Sequence, residues 1–194
     1  MKRIVVLLIV NILLISCSKG YTKIKEKWIY KSFDEAAGVR IKDINADNVT
    51  FQILENDNYA KDKNYVYYNG VIIENANPKY FSVLDNGYSK DGNNVFFQNE
   101  TLIDANPQSF QILEFPYSKD HQKIYCGTIP LLTSDIENFI VQKPGSITTT
   151  EMTIYFIRDN PEYAKIDTVK YKAVVYGDGI AKTKTETFYG YKKQ

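Results

Sequence analysis

The sequence predicts an all-β protein of tandem β-hairpin or meander repeats, each of about 29 residues with short helical turns, followed by a C-terminal antiparallel β-segment. Three observations predict it. Tyr59, Tyr88 and Tyr117 are spaced by 29 residues, and so are Asp62, Asp91 and Asp120. Phe51, Phe81, Phe110 and Phe139 follow at 30, 29 and 29. The chain carries sixteen tyrosines and ten phenylalanines, the residue types that fill small β cores.

Ahead of the repeats, Lys2 and Arg3 precede an apolar run from Ile4 to Ile15, broken only by Asn11. That is the length of a signal peptide, whereas a spanning helix needs roughly 20 apolar residues. Leu14-Ile15-Ser16-Cys17 resembles the lipobox of bacterial lipoproteins: an aliphatic residue, a variable one, a small one, then cysteine. The resemblance implies cleavage between Ser16 and Cys17, a diacylglyceryl group on the Cys17 thiol, and a fatty acyl chain such as palmitate on the new amine. Two or three chains anchor stably where one does not. Ser18, rather than aspartate, leans towards the outer membrane if the cell is Gram-negative. The expected division is a removed leader over 1–16, a lipidated tether over 17–31, the N-terminal flank and repeats over 32–146, and C-terminal strands over 147–194 that pack on or cap the array.

In the tether, Lys19, Lys23, Lys25, Lys27 and Lys31 face a single acid, Glu26, which reads first as a solvated flexible segment and second as one attracted to anionic headgroups. Next, Ser32 and Glu35 have capping-box spacing, with Gly38 placed to end a short helix.

Within each repeat, Tyr65 to Tyr68 and Val71 to Ile73 flank Asn69-Gly70, the strongest short hairpin signal, because both central residues of a type I′ turn need positive φ. Tyr68 should then pair with Val71, and Tyr67 with Ile72. Later copies place Gln98-Asn99 and Cys126-Gly127 at the turn. Asn77-Pro78 and Asn106-Pro107, matched by Asp47 and Asp135, predict a one-turn helix with its cap.

DKNYVYYNG from Asp62, followed by NANPKYFSVLDNGYSKD, resembles the DKNYY family, and DGNNVFFQN and DHQKIYCGT repeat it from Asp91 and Asp120. The resemblance covers roughly 100 residues. It implies occurrence among bacterial secreted proteins and lipoproteins, and it brings no established activity or catalytic residue. The third copy departs most, so the array is expected to end there.

After Ile147 the 29-residue pattern is lost. Alternations at Met152 to Ile157, Val169 to Val175 and Thr183 to Thr187 predict strands, the last with Lys182, Lys184 and Glu186 opposite its threonines.

Chemistry is sparse. Without Lys2 and Arg3 the chain carries 22 basic and 23 acidic side chains, a balance unlike that of a nucleic-acid-binding surface. Lipidation of Cys17 leaves Cys126 alone, so there is no internal disulfide. Cys126 reads as a small core residue, since its one possible partner, His121, sits in a turn. Asp62-x-Asn64 and Asp91-x-Asn93 lack the further ligands and the twelfth-position glutamate of a calcium loop, and Asx turns explain them. No metal or cofactor is expected. The expectation is a non-enzymatic lipoprotein, held to the membrane by lipid, whose β-array binds an envelope protein or glycan or serves structurally. An immunity or inhibitor lipoprotein against an envelope-directed toxin, or an envelope hydrolase, are the alternatives.

Overall fold

The computed structural model describes residues 19–146, 161–165 and 178–194. The leader, Ser16 and Cys17 lie outside them, as do the alternations at 152–157 and 169–175. Among the described residues the chain forms five small antiparallel sheets in chain order, each a meander. Sheet 1 holds β1 (Gly20–Ile24), β2 (Lys27–Asp34) and β3 (Gly38–Asp43). Sheet 2 holds β4 (Gln52–Ile53), β5 (Tyr59–Lys61), β6 (Val66–Tyr68) and β7 (Val71–Ile72). Sheet 3 repeats this with β8 (Ser82–Val83), β9 (Tyr88–Lys90), β10 (Val95–Phe97) and β11 (Glu100–Thr101). Sheet 4 uses β12 (Gln111–Ile112), β13 (Tyr117–Lys119), β14 (Ile124–Cys126) and β15 (Ile129–Pro130). Sheet 5 uses β16 (Ile140–Lys143), β17 (Ile180–Lys182), β18 (Thr187–Tyr189) and β19 (Lys192–Lys193).

Strands of two or three residues cannot bury a core alone, so sheets 2, 3 and 4 are each packed between the sheets before and after them. Alternation along the strand divides the side chains. Ala60 and Tyr67 pack towards sheet 1 with Tyr30 and Ile44. Tyr59, Val66 and Tyr68 pack towards sheet 3 with Phe81 and Phe96.

The same contacts recur at every junction. Each strand tyrosine donates its hydroxyl to the backbone carbonyl just before the equivalent position in the next unit. Tyr21 reaches Asn58, Tyr59 reaches Gly87, Tyr88 reaches Pro116 and Tyr117 reaches Gly179, at 2.9–3.4 Å. The repeated phenylalanine of the next unit packs against the same ring, as in Tyr21–Phe51, Tyr59–Phe81, Tyr88–Phe110 and Tyr117–Phe139, with centroids 5.3–5.9 Å apart. Tyr59, Tyr88 and Tyr117 are fully buried.

The turns follow the sequence closely in some places. Tyr68 pairs with Val71 and Tyr67 with Ile72 across Asn69-Gly70, both of positive φ. In the other copies only the first central residue, Gln98, Gly127 or Gly190, has positive φ, as in type II′ turns.

Four expectations are corrected. Residues 20–31, read as tether, are strand: Tyr21 pairs with Tyr30 nine residues on, as Tyr59 pairs with Tyr68, so sheet 1 is an additional unit. The helix read from Ser32 to Gly38 is the β2–β3 hairpin, with Asp34 Oδ1 accepting from the amides of Ala36 and Ala37 and Gly38 at φ +71°. The one-turn helices at Asn77-Pro78 and Asn106-Pro107 are single hydrogen-bonded turns; Asn77 Oδ1 caps only the Lys79 amide before the chain extends into β8.

Finally, the array does not end with the third copy. The Thr183–Thr187 alternation is a hairpin, because Thr183 Oγ1 accepts from the amides of Thr185 and Glu186 and reverses the chain there. Ile180 then pairs with Tyr189 as Tyr88 pairs with Phe97. Sheet 5 is therefore a complete unit whose first and second strands are separated by residues 144–179. The neck of that excursion is tight: a Cβ on Gly145 would lie 2.8 Å from the Asp178 carbonyl.

Candidate functional site

The repeated acids come first. Asp62, Asp91 and Asp120 are all buried, at 3 %, 6 % and 4 % exposure. A carboxylate withdrawn from water must be matched by donors, and here backbone supplies them. Asp62 Oδ1 accepts from the amides of Asn64 and Tyr65, both at 2.7 Å, which closes the turn between β5 and β6. Its Oδ2 accepts from the Asp47 amide and the Tyr67 hydroxyl, which ties that turn to the one before β4. Asp120 repeats all four contacts with Gln122, Lys123, Asn106 and Tyr125. Asp91 keeps the three amides, of Asn93, Asn94 and Asn77, while Phe96 stands where Tyr67 and Tyr125 supply a phenol.

Burial pushes the Asp62 and Asp120 carboxyls up, but the amides and phenol outweigh it and hold both below the ordinary carboxylate value. These are Asx turns with a second staple, and their oxygens are occupied by the protein itself. Among the described residues no group of three or more His, Cys, Asp or Glu is placed to hold a metal ion.

Asp47, the half-buried cap of its turn, is different. A hydrogen bond from Lys63 at 2.7 Å, with Thr50 beside it, draws its carboxyl down to about 2.

Cys126 and His121 are not a pair. Cys126 is fully buried as the cross-strand partner of Tyr117, the register place held by Tyr68 and Phe97. His121 is exposed, and its Nδ1 lies 2.7 Å from Ser109 Oγ.

What sequence reasoning missed is a cleft along one side of the stack. Its volume is about 420 Å³, and Tyr68, Asn86, Gly87, Phe97, Gln98, Phe115, Gly145 and Ser146 line it. The lining draws on four successive units and includes no charged side chain. Tyr68 and Phe97 hold the same register place, and Phe97 lies 6.3 Å from Phe115, centroid to centroid. The available signal was a break in the repeat: Phe115-Pro116 stands before Tyr117 where Asn86-Gly87 stands before Tyr88.

With five stacked units in the fold, three of them built on a buried tyrosine and a stapled aspartate, comparison with known proteins gives one result. The model of the DKNYY family matches residues 4–100, half of the chain. The chain belongs to the DKNYY family. No curated protein and no solved structure matches it. The DKNYY motif that names the family is thus a local device: the aspartate closes the turn, and the aromatic residues after it face alternately the preceding and the following unit. The match begins at residue 4 and ends in sheet 3, so sheets 4 and 5 extend the architecture beyond the matched residues. Among the described residues no helix is long and apolar enough to cross a membrane.

Proposed function

We propose that this DKNYY-family protein is exported, anchored by lipid on Cys17, and acts as a non-catalytic binding module for an uncharged, partly apolar segment of an envelope protein or glycan. The observation that carries the binding reading is the cleft bounded by Tyr68, Phe97 and Phe115. Its size is that of ordinary ligand pockets, and its aromatic walls beside the amide side chains of Asn86 and Gln98 suit the apolar faces and hydroxyls of a sugar, or a neutral peptide. The repeated acids support the non-catalytic part, since their oxygens already hold turns together. The anchor rests on the basic n-region, the apolar run and Leu14-Ile15-Ser16-Cys17.

Two experiments test the two parts separately. Fatty-acid labelling in cells should mark the wild type and not Cys17→Ala; equal labelling would end the anchor reading. A photoreactive phenylalanine analogue in place of Phe115 should give a discrete adduct in cells, lost on Ser146→Arg, which fills the cleft mouth. The same analogue at exposed Tyr80 should not. Absence of any adduct from position 115, with no response to soluble cell-wall glycan fragments, would remove the cleft as a binding site.

A further inference from the structure

Among the described residues no unit packs ahead of sheet 1, so one of its faces has no sheet against it. Its inward face carries Tyr21, Trp28 and Tyr30, which pack on sheet 2. The register assigns the opposite face. Gly20, Lys31 and Ile41 are aligned across the three strands, Thr22, Ile29 and Asp43 form the next row, and Phe33 pairs with Val39. That outward face therefore bears Ile24, Phe33, Val39 and Ile41, with Ile29 on the same side but buried. Phe33 is 62 % exposed, Ile41 59 %, Val39 49 % and Ile24 43 %, an unusual grouping of large apolar side chains on one side of a small sheet.

The position of the chain entrance decides what covers it. β1 begins at Gly20, opposite Lys31, with Lys19 ahead of it at that end of the sheet. β2 continues past Lys31 through Ser32, Phe33 and Asp34 before turning. The hairpin tip thus projects about 10 Å beyond Gly20, towards the side from which the chain arrives. Cys17 precedes Gly20 by three residues, which reach at most about 10 Å. A lipidated Cys17 leaves no slack: the apolar tip and the anchor occupy one end of the molecule, at headgroup depth.

Charge agrees. Residues 19–43 carry seven basic side chains, Lys19, Lys23, Lys25, Lys27, Lys31, Arg40 and Lys42, against four acidic ones, Glu26, Asp34, Glu35 and Asp43. Lys25 and Lys27 lie at the β1–β2 turn, the far end from the tip. At the entrance end stand Lys19, Lys31, level with Gly20 on the outward face, and Arg40, which pairs with Asp34 at 3.2 Å; Glu35 in the turn is the other acid there.

We propose that the outward face of sheet 1 is a membrane-docking surface, with Phe33, Val39 and Ile41 inserted at the interface of an anionic bilayer and Lys19 and Lys31 against its headgroups. The occupant is lipid, and the proposal rests on the anchor reading. Apolar side chains at the interface with basic residues beside them are the chemistry by which peripheral segments bind such surfaces. The lipid then holds the stack by two points, chain and face, and orients it with sheet 5 distal and the cleft side-on.

The test uses the full lipidated protein, with acylation of Cys17 verified by mass, in vesicles of anionic phospholipid with brominated acyl chains. Phe33→Trp and Tyr80→Trp report on the tip and on an exposed site in a later unit, each read against the Trp28 background of the wild type. Quenching several-fold stronger at position 33 than at position 80, weakened by Ile41→Asp, is expected. Equal quenching at the two positions in acylated protein would overturn the docking while leaving the anchor intact. Protein that carries no acyl group would overturn the anchor reading itself. A position-33 signal that rises with protein concentration in the absence of vesicles would assign the face to a second copy and overturn the lipid proposal.

Discussion

The Tyr59 hydroxyl donates to the Gly87 carbonyl at 2.9 Å, and Gly87 immediately precedes Tyr88, the same residue one unit on. One side chain therefore measures the distance between sheets. The ring fills the junction, Phe81 packs on it 5.9 Å away, and the hydroxyl is a second donor to a carbonyl that already accepts the Gln98 amide at 2.7 Å. Because every junction repeats this, the stack is held at a regular pitch by residues 29 apart. Tyr59→Phe should retain the ring and lose about 1 kcal/mol. Tyr88→Ala should lose about 3–5 kcal/mol, since it also removes the packing. Urea melts check both, and a loss under about 0.5 kcal/mol for Tyr88→Ala would place the ring on the surface.

Gly70 marks where sheet 1 meets sheet 2. Its φ is +73°, and a Cβ there would lie 2.5 Å from Tyr30 Cβ, an atom fixed to the backbone. Around the same turn Tyr30 donates to Asn69 Oδ1 at 2.6 Å and the Gly70 amide donates to the Tyr21 hydroxyl. Gly70→Ala should cost about 1–3 kcal/mol through strain and loss of this seat. Gly92→Ala, where nothing lies within 4 Å, should change stability by less than about 0.5 kcal/mol. Thermal melts of the two variants side by side decide it.

The difference between what could be read and what could not lies in how much of each unit survives as sequence. Asp62, Asp91 and Asp120 are visible because only a short acceptor with two oxygens makes both the Asx turn and the staple to the preceding turn. Sheet 1 has Ile24 at that place and no such turn, so its only trace is Tyr21 nine residues before Tyr30, a spacing with little force by itself. Sheet 5 keeps the turn with Thr183, whose single oxygen accepts the same two amides, and residues 144–179 break the 29-residue interval. The cleft was harder still, because its walls come from four units and no single copy contains it.

The aspartate staples also set the acid limit of the fold. Asp62 and Asp120 have folded values below the ordinary 3.8, so folding favours their ionised forms. Their contribution is complete above that ordinary value and is lost as pH falls through the folded values. Urea midpoints should therefore be steady near neutrality and fall below about pH 4. Asp62→Asn should cost about 2 kcal/mol at neutral pH, because its amide nitrogen would face the donors of Asp47 and Tyr67. The variant's acid slope should also be shallower; an unchanged slope would show that the Asp62 charge takes no part.

Cys126 offers the sharpest contrast between a structural and a reactive reading. It occupies the place of Tyr68 and Phe97, yet it is fully buried, so the neighbourhood has closed over a much smaller side chain. Tyr163, in the 3₁₀ turn Pro161–Tyr163, joins the same core and donates its hydroxyl to the Pro130 carbonyl at 2.8 Å. His121 is exposed on the turn before β14 and engaged with Ser109 rather than with the thiol. Only thiolate at an accessible sulfur reacts quickly. The folded protein should therefore react slowly with a thiol reagent at neutral pH and rapidly once unfolded, with His121→Ala leaving the native rate unchanged. Reaction of the native protein as fast as that of the unfolded chain, and lost in His121→Ala, would show a paired and reachable thiol and overturn the structural reading of this residue.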